Sequence, residues 1–175
     1  MHVHEVHKKE KKVDAKIAIF VVSTSRYQAI KEGKKVEDVS GDIAKELLRK
    51  HGFEIVNKEI IRDGILSVKD ALNKALKEYN ANVIIFIGGT GISGSDLTID
   101  VIENIIDKEL MGFGEIFRSL SFKEIGSSAI MSRALLGVYN KSLIACLPGS
   151  PNAVKLALEQ ILIPEIYHIL NLLHR

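Results

Sequence analysis

A glycine-rich turn followed by an aspartate is the segment of this chain best suited to chemistry. Gly88–Gly91 follows the apolar run 83–87, and Asp96 comes just before a helix-like segment, 98–106. A strand that ends in glycines and continues as a helix exposes backbone N–H groups at the positive end of the helix, where anions bind. The carboxylate of Asp96 is a ligand that Mg²⁺ prefers. The spacing therefore predicts a phosphate-binding turn with a metal ligand beside it.

Three further polar or glycine-rich segments follow predicted strands. They are 23–26, which starts at Ser23, 62–64, which contains Asp63, and 147–151. Because the carboxyl ends of parallel strands meet at one edge of a sheet, we expect these segments to share a ligand site with the glycine turn. Asp63 and Asp96 would then face the same phosphates and could hold Mg²⁺ together.

Two structural alternatives stay open at this point. Asp96 could serve only to cap the following helix, and Asp63 could serve only to form a turn with Gly64. A nicotinamide enzyme is disfavoured, although residues 89–94 fit the spacing G-x-G-x-x-G. The motif follows the third predicted strand instead of the first, and the acidic region expected about 20 residues on, Asp107-Lys108-Glu109, comes directly after a helix-like segment. The turn also lacks the Gly-Lys-Ser/Thr ending of a P-loop.

Strand and helix patterns alternate from residue 16 onward, which predicts an α/β domain with a parallel sheet. Predicted helices begin near Ser40 as a cap and near Ser67, whereas Gly112 and Gly114 predict a loop. The predicted strands are 17–22, 53–61, 83–87, 135–139 and 142–147, the last two joined by a hairpin at Asn140-Lys141. The other predicted helices are 98–106, 115–123 and 152–173, the last of them ended, kinked or restarted at Pro164.

Length and composition predict one globular domain, residues 15–175, behind a polar and flexible tail, residues 1–14. The 175 residues are 46% hydrophobic, and the net charge of +2 does not favour nucleic acid or a membrane surface as a partner. The tail contains His2, His4 and His7 but nothing that completes a metal site. The one cysteine, Cys146, cannot form an internal disulfide, which favours a cytoplasmic protein. Its position in an apolar run predicts a buried side chain.

Several motifs together resemble the MoaB/MogA family of molybdenum cofactor biosynthesis, which includes the G domain of gephyrin. The resemblance runs from about residue 16 to 162. The motifs that carry it are Gly-Gly-Thr-Gly at 88–91, Asp96 with Thr98, Gly-Phe-Gly-Glu at 112–115, Leu120, Ser132-Arg133 and Leu-Pro-Gly-Ser-Pro at 147–151. The resemblance implies a three-layer α-β-α sandwich with a mostly parallel central sheet, assembled as a homotrimer or as a hexamer of two trimers.

The family resemblance implies an enzyme, a molybdopterin adenylyltransferase. Such an enzyme transfers AMP from Mg-ATP to the phosphate of molybdopterin, giving adenylyl-molybdopterin and pyrophosphate. The resemblance also implies a downstream metal-insertion protein as a partner, and it does not decide whether the final metal is molybdenum or tungsten. By position, Asp63 and Asp96 match the family's catalytic aspartates, with Mg²⁺ as the metal. The matched substrate-binding positions are Ser23, Gly88, Gly89, Thr90, Gly91, Glu115, Ser132, Gly149, Ser150 and Pro151.

The chain departs from the family pattern at a few positions near the site. Ser95 replaces a common arginine before the aspartate, so that one phosphate contact is either missing or supplied by Arg26, Arg62 or Arg133. Thr24 replaces a common aspartate in the first loop. The competing hypothesis is accordingly a molybdopterin-binding or scaffold protein that has lost turnover.

Overall fold

A six-stranded sheet with helices on both faces forms the structure, a computed structural model that describes residues 13–175. Of the predicted flexible tail, residues 1–14, only the last two residues are described. His2, His4 and His7 therefore lie outside the described residues. The strands are β1 (Lys16–Val22), β2 (Glu54–Ile61), β3 (Val83–Ile87), β4 (Lys108–Glu109), β5 (Leu135–Tyr139) and β6 (Ser142–Leu147). Their order across the sheet is β2-β1-β3-β6-β5-β4. The three-layer α/β architecture expected from the family resemblance is confirmed.

The sheet is parallel at its centre and antiparallel at one edge. The pairs β1–β2, β1–β3 and β3–β6 are parallel, whereas β5 runs antiparallel to both β4 and β6. All five residues of β3 and all six of β6 are buried, as expected of strands covered on both faces. Asn140 and Lys141 both have positive φ, 48° and 59°, which forms the predicted tight hairpin between β5 and β6.

The helices divide between the two faces of the sheet. They are α1 (Thr24–Lys31), α2 (Val39–Lys50), α3 (Ile65–Lys77), α4 (Thr98–Glu103), α5 (Met111–Ile125), α6 (Pro151–Ala157) and α7 (Ile163–Leu173). One apolar core joins the sheet to α2, α5, α6 and α7, and the other joins it to α3 and α4. The chain therefore leaves β1 toward one face and β2 toward the other, so that the strand order reverses between β1 and β3. That reversal is the place where open α/β sheets bind ligands.

Several local predictions about helices are wrong. The 23–26 segment, expected to be a loop, forms the cap and first turn of α1, which is capped by Ser23. The cap of α2 is Asp38, because its carboxylate accepts the Gly41 N–H, and Ser40 lies inside the first turn. Ser67 likewise lies inside α3, which begins after Gly64 without a side-chain cap.

The loop predicted at Gly112 and Gly114 is also wrong, because both glycines lie in α5. A Cβ on Gly114 would lie 3.1 Å from the carbonyl oxygen of Ala134, so the glycine lets α5 approach the start of β5. A 3₁₀ helix, Gly126–Met131, follows α5, and α4 ends at Glu103, three residues before the predicted end.

The C-terminal helical segment is continuous and changes hydrogen-bond pattern before Pro164. A π-helical turn, Leu158–Leu162, separates α6 from α7, and Pro164 falls in the first turn of α7, where its missing N–H is tolerated. By length and composition alone this segment, Pro151–Leu173, is apolar enough to span a membrane, with a mean hydropathy of 1.2. In the fold, a buried stripe that includes Val154, Leu158 and Leu170 packs it against the sheet.

Cys146 is completely buried in β6, as predicted. Burial raises the pKa of its thiol far above the ordinary range, so the nucleophilic thiolate is strongly disfavoured.

Candidate active site

A cavity of about 320 Å³ opens at the carboxyl end of β3, beside the point where the strand order reverses. Three segments that are distant in the sequence form its walls. The lining residues are Gly88, Gly89, Thr90, Gly91, Asp96, Met131, Ser132, Arg133, Pro148 and Gly149. The structure therefore brings together the predicted glycine turn, Asp96, Ser132 and Gly149 around one space.

The glycine turn has a backbone that other residues would not tolerate. Gly88 and Gly89 have positive φ angles of 102° and 63°. A Cβ on Gly88 would lie 2.5 Å from the carbonyl oxygen of Val22, and a Cβ on Gly89 would overlap the side chains of Asp63 and Thr98. Two backbone hydrogen bonds hold the start of the turn, because the Gly88 N–H donates to the Leu147 carbonyl (2.9 Å) and the Gly89 carbonyl accepts from the Thr98 N–H (2.9 Å).

Asp96 faces the cavity and is held by the loop that precedes it. Its Oδ2 accepts the Ser93 N–H at 2.9 Å, and its own N–H donates to the Ser93 carbonyl at 2.9 Å. A Cβ on Gly91 would lie 2.6 Å from Asp96 Oδ2, so the missing side chain gives the carboxylate its room. The residue before α4 is Leu97, and α4 has no side-chain cap. The alternative that Asp96 is only a helix cap is therefore wrong in geometry.

Asp63 lies behind the glycine turn, and it is not among the described residues that line the cavity. Its Oδ1 accepts the Leu97 N–H at 3.2 Å, and its own N–H donates to Thr24 Oγ1 at 3.2 Å. Burial raises the pKa of the Asp63 carboxyl, and repulsion from Asp96 and Asp100 raises it further against the Leu97 hydrogen bond. Asp63 thus links the ends of β1 and β2 to the turn, which is more than a local turn with Gly64 requires.

Arg133 lines the cavity and bonds to two of its neighbouring groups. Its Nη1 donates to the Gly91 carbonyl at 3.2 Å, and its guanidinium forms a two-pronged pair with Asp100, with the shorter bond at 2.9 Å. This bonding raises the pKa of Arg133 and lowers the pKa of Asp100. Of the three arginines considered from the sequence, Arg133 is the one that lines the cavity within residues 13–175. Arg26 lies 3.8 Å from Asp38, and Arg62 lines a separate cleft.

The remaining predicted substrate-binding residues lie outside the cavity lining described here. Ser23 caps α1 through the Arg26 N–H at 3.4 Å, at the carboxyl end of β1. Ser150 caps α6, whose first residue is Pro151, and both follow directly after the lining residue Gly149. Glu115 is exposed on α5. Their roles as binding residues stay predictions.

The acidic groups around the turn are suited to a hard cation. Burial raises the pKa of Asp63, the negative charges of Asp96 and Asp100 add to that rise, and the guanidinium of Arg133 is already paired with Asp100. Within residues 13–175, no group of three or more potential ligands is arranged to hold a metal without help. Magnesium commonly binds through one or two carboxylates together with substrate phosphates, and the donor set here fits that pattern.

A larger cavity, about 730 Å³, lies between α5 and α6, away from the glycine turn. Lysines and glutamates of both signs line it, including Lys123, Glu124, Lys155 and Glu159. The smaller cavity is the better candidate for an active site, because it combines the strand-order reversal, the strained glycines and the acidic groups.

Comparison with known proteins gives one consistent family. A family model described as "Probable molybdopterin binding domain" matches residues 18–168. A "Probable molybdopterin adenylyltransferase" from Methanocaldococcus jannaschii is 39% identical over 95% of this chain and 97% of its own length. "Molybdenum cofactor biosynthesis protein B" from Bacillus cereus is 36% identical over 97% and 96%. The crystal structure of the tungsten cofactor synthesizing protein MoaB from Pyrococcus furiosus superposes with a TM-score of 0.83 at 35% identity, over 94% of this chain and 100% of that one.

Proposed function

Since this chain belongs to the molybdopterin-binding domain family, we propose that it is a molybdopterin adenylyltransferase of molybdenum cofactor biosynthesis. The enzyme joins the phosphate of molybdopterin to the α-phosphate of ATP. A phosphate oxygen of molybdopterin attacks the α-phosphorus, the bond from that phosphorus to the β-phosphate oxygen breaks, and pyrophosphate leaves. Positioning and neutralisation of charge supply most of the catalysis in such a transfer, and no covalent enzyme intermediate is needed.

The cavity beside the glycine turn carries the proposal. The Gly88 N–H is used by the Leu147 carbonyl, so the N–H groups of residues 89–91 are the ones we assign to phosphate oxygens. Asp96 faces the same space, and Ser132 and Gly149 line it from the other walls. We assign the phosphates of both substrates to the turn and the pterin to the side formed by Ser132 and the 148–151 segment, with Glu115, Ser150 and Pro151 at its rim.

Magnesium is the cation we propose for this site, held by Asp96 and by substrate phosphate oxygens. When bound, it neutralises phosphate charge and withdraws electrons from the α-phosphate. Asp63 acts from behind the turn: its hydrogen bond from Leu97 fixes the backbone that leads from Asp96 into α4. The two aspartates thus have different tasks, Asp96 as a ligand and Asp63 as a residue that orients the metal site.

We propose that the chain assembles as a homotrimer or a hexamer, in the cytoplasm, and passes its product to a metal-insertion protein. Large apolar side chains on α5 and the following 3₁₀ helix support self-association, because Phe122 is 61% exposed and Ile130 is 86% exposed. A light-scattering mass tests the assembly and separates a trimer from a hexamer.

The direct test supplies molybdopterin and Mg-ATP to the purified protein and measures adenylyl-molybdopterin and pyrophosphate. Equal amounts of both products are expected. Tight binding of molybdopterin with no product would establish the non-catalytic scaffold hypothesis instead.

A further inference from the structure

Ser40 connects the start of α2 to the wall of the candidate active site. Its side chain is 1% exposed, and its Oγ donates a hydrogen bond of 2.6 Å to the Gly149 carbonyl, 109 residues away in the sequence. Gly149 lies between β6 and α6 and lines the cavity. A carbonyl in this loop thus receives its donor from a helix that does not itself reach the cavity.

The first turn of α2 is fixed on the sheet, so Ser40 has little freedom. Asp38, 5% exposed, caps the turn through the Gly41 N–H at 3.1 Å and pairs with Lys58 of β2 at 2.8 Å. A Cβ on Gly41 would overlap Asp38 and lie 2.7 Å from the Val21 side chain of β1. The position of the Ser40 hydroxyl is therefore set by contacts to β1 and β2 and not by the loop that it holds.

The loop that Ser40 holds rests directly against the glycine turn. A Cβ built on Gly149 would lie 3.4 Å from the Cα of Gly88, so the two backbones meet with no side chain between them. The turn has two anchors besides this contact, since the Gly88 N–H donates to the Leu147 carbonyl at the end of β6 and the Gly91 carbonyl accepts from Arg133. Strand pairing and the Gly88–Leu147 hydrogen bond join the walls as far as Leu147, and the Ser40 hydroxyl fixes the Gly149 carbonyl two residues farther on. Ser40 consequently sets how the segment after Leu147 lies against the turn.

We propose that Ser40 is a positioning residue for the reaction: it holds the 148–150 segment at the distance from the glycine turn that aligns molybdopterin with ATP. This inference rests on the proposed function. It assigns Ser40 no contact with either substrate, and its effect passes through the Gly149 carbonyl.

The test is Ser40→Ala, assayed with molybdopterin and Mg-ATP varied independently. Misplacement of a reacting group by about 1 Å can cost roughly 10²-fold in rate. We expect kcat to fall at least about tenfold and the KM for molybdopterin to rise, because its wall loses its support. The KM for ATP stays within about twofold, because Ser40 touches none of the groups that hold the glycine turn.

Ser142→Ala is the matched control, since Ser142 is a buried serine, 6% exposed, at the opposite end of β6. A loss of folded protein alone would lower the apparent kcat of either variant and leave both KM values unchanged. Ser40→Thr keeps the hydroxyl donor and should restore the wild-type KM for molybdopterin. An unchanged KM in Ser40→Ala, or a raised one in Ser40→Thr, would overturn the proposal.

Amide hydrogen exchange gives a second readout that does not depend on activity. In Ser40→Ala, peptides covering 147–154 should exchange about five- to tenfold faster, the effect of one lost buried hydrogen bond, and those covering 88–98 should be unchanged. If the wild-type protein makes no adenylyl-molybdopterin, the proposed function fails, while this measurement still tests whether the Ser40–Gly149 hydrogen bond holds the loop. Equal exchange in Ser40→Ala and the wild type would remove the structural basis of the inference.

Discussion

Gly89→Ala is the substitution that most directly tests how the glycine turn is built. The backbone at Gly89 has a φ of 63°, and an added methyl group would overlap the Asp63 carboxylate and the Thr98 hydroxyl. The left-handed conformation costs an L-residue about 1–2 kcal/mol, and overpacking costs about 1–3 kcal/mol. We therefore expect the free energy of unfolding to fall by about 2–5 kcal/mol.

Two other glycines separate these contributions. Gly33 has a φ of 75° and nothing within 4 Å of an added Cβ, so Gly33→Ala carries the backbone term alone, about 1–2 kcal/mol. Gly94 lies in the same loop as Asp96, its Cβ would enter open space, and its φ is not in the left-handed region, so Gly94→Ala should change stability by less than about 0.5 kcal/mol.

Urea unfolding followed by circular dichroism measures the free energy of unfolding of the three variants and of the wild type, with one shared m-value for all four proteins. Gly89→Ala should also lose adenylyl transfer, because the methyl group displaces Asp63 from the Leu97 N–H. Should Gly89→Ala be no less stable than Gly33→Ala, the packing of Asp63 and Thr98 behind the turn would be wrong.

Three further outcomes follow from the same geometry. Asp96→Asn keeps an acceptor for Ser93 and should melt like the wild type, yet release pyrophosphate more slowly by on the order of 10²-fold; wild-type turnover would refute the assignment. The pKa of Asp63 is raised in the fold, so the native state binds the extra proton and the stability of the wild type relative to Asp63→Asn falls as pH rises from the ordinary value of 3.8 through the folded pKa. A difference in unfolding free energy between the two proteins that stays constant across that pH window would contradict this expectation. The Cys146 thiol should react with a thiol reagent only after unfolding in urea, and rapid labelling of the native protein would contradict its burial.

The strands and their ends were predictable because one physical pattern dictates them. Continuous apolar, β-branched runs such as 17–22 and 83–87 suit a buried parallel strand and little else. The polar segments after them then had to meet at one edge, and Asp96 and Gly149 do share a cavity with the glycine turn. Ser132 also lines it, but only the family resemblance predicted that residue. The parallel topology alone therefore predicts that the segments after β3 and β6 lie together at the site.

The errors arose where a local pattern has more than one physical use. Thr24–Lys31 contains no buried residue, so α1 has no apolar face that the sequence could reveal. Asp38 and Ser40 are both residue types that cap helices, and in the structure Asp38 accepts the Gly41 N–H while the Ser40 hydroxyl is used by the distant Gly149 carbonyl. Gly114 suggested a loop, whereas its purpose is close approach of α5 to β5, a contact between residues far apart in the sequence.

The charges around the cavity lead to the last prediction, that ATP binding requires a divalent cation. Asp63 and Asp96 flank the turn, and the guanidinium of Arg133 is already paired with Asp100. Two like charges about 8 Å apart repel by roughly 2 kcal/mol at an effective dielectric constant near 20, which weakens Kd by about 30-fold. Titration calorimetry should therefore show ATP binding at least about 30-fold weaker in EDTA than with Mg²⁺. Asp96→Asn should narrow that gap by strengthening binding in EDTA, because it removes one of the opposing charges while keeping the loop. Equal affinity with and without Mg²⁺ would mean that the phosphates lie elsewhere, away from the aspartates.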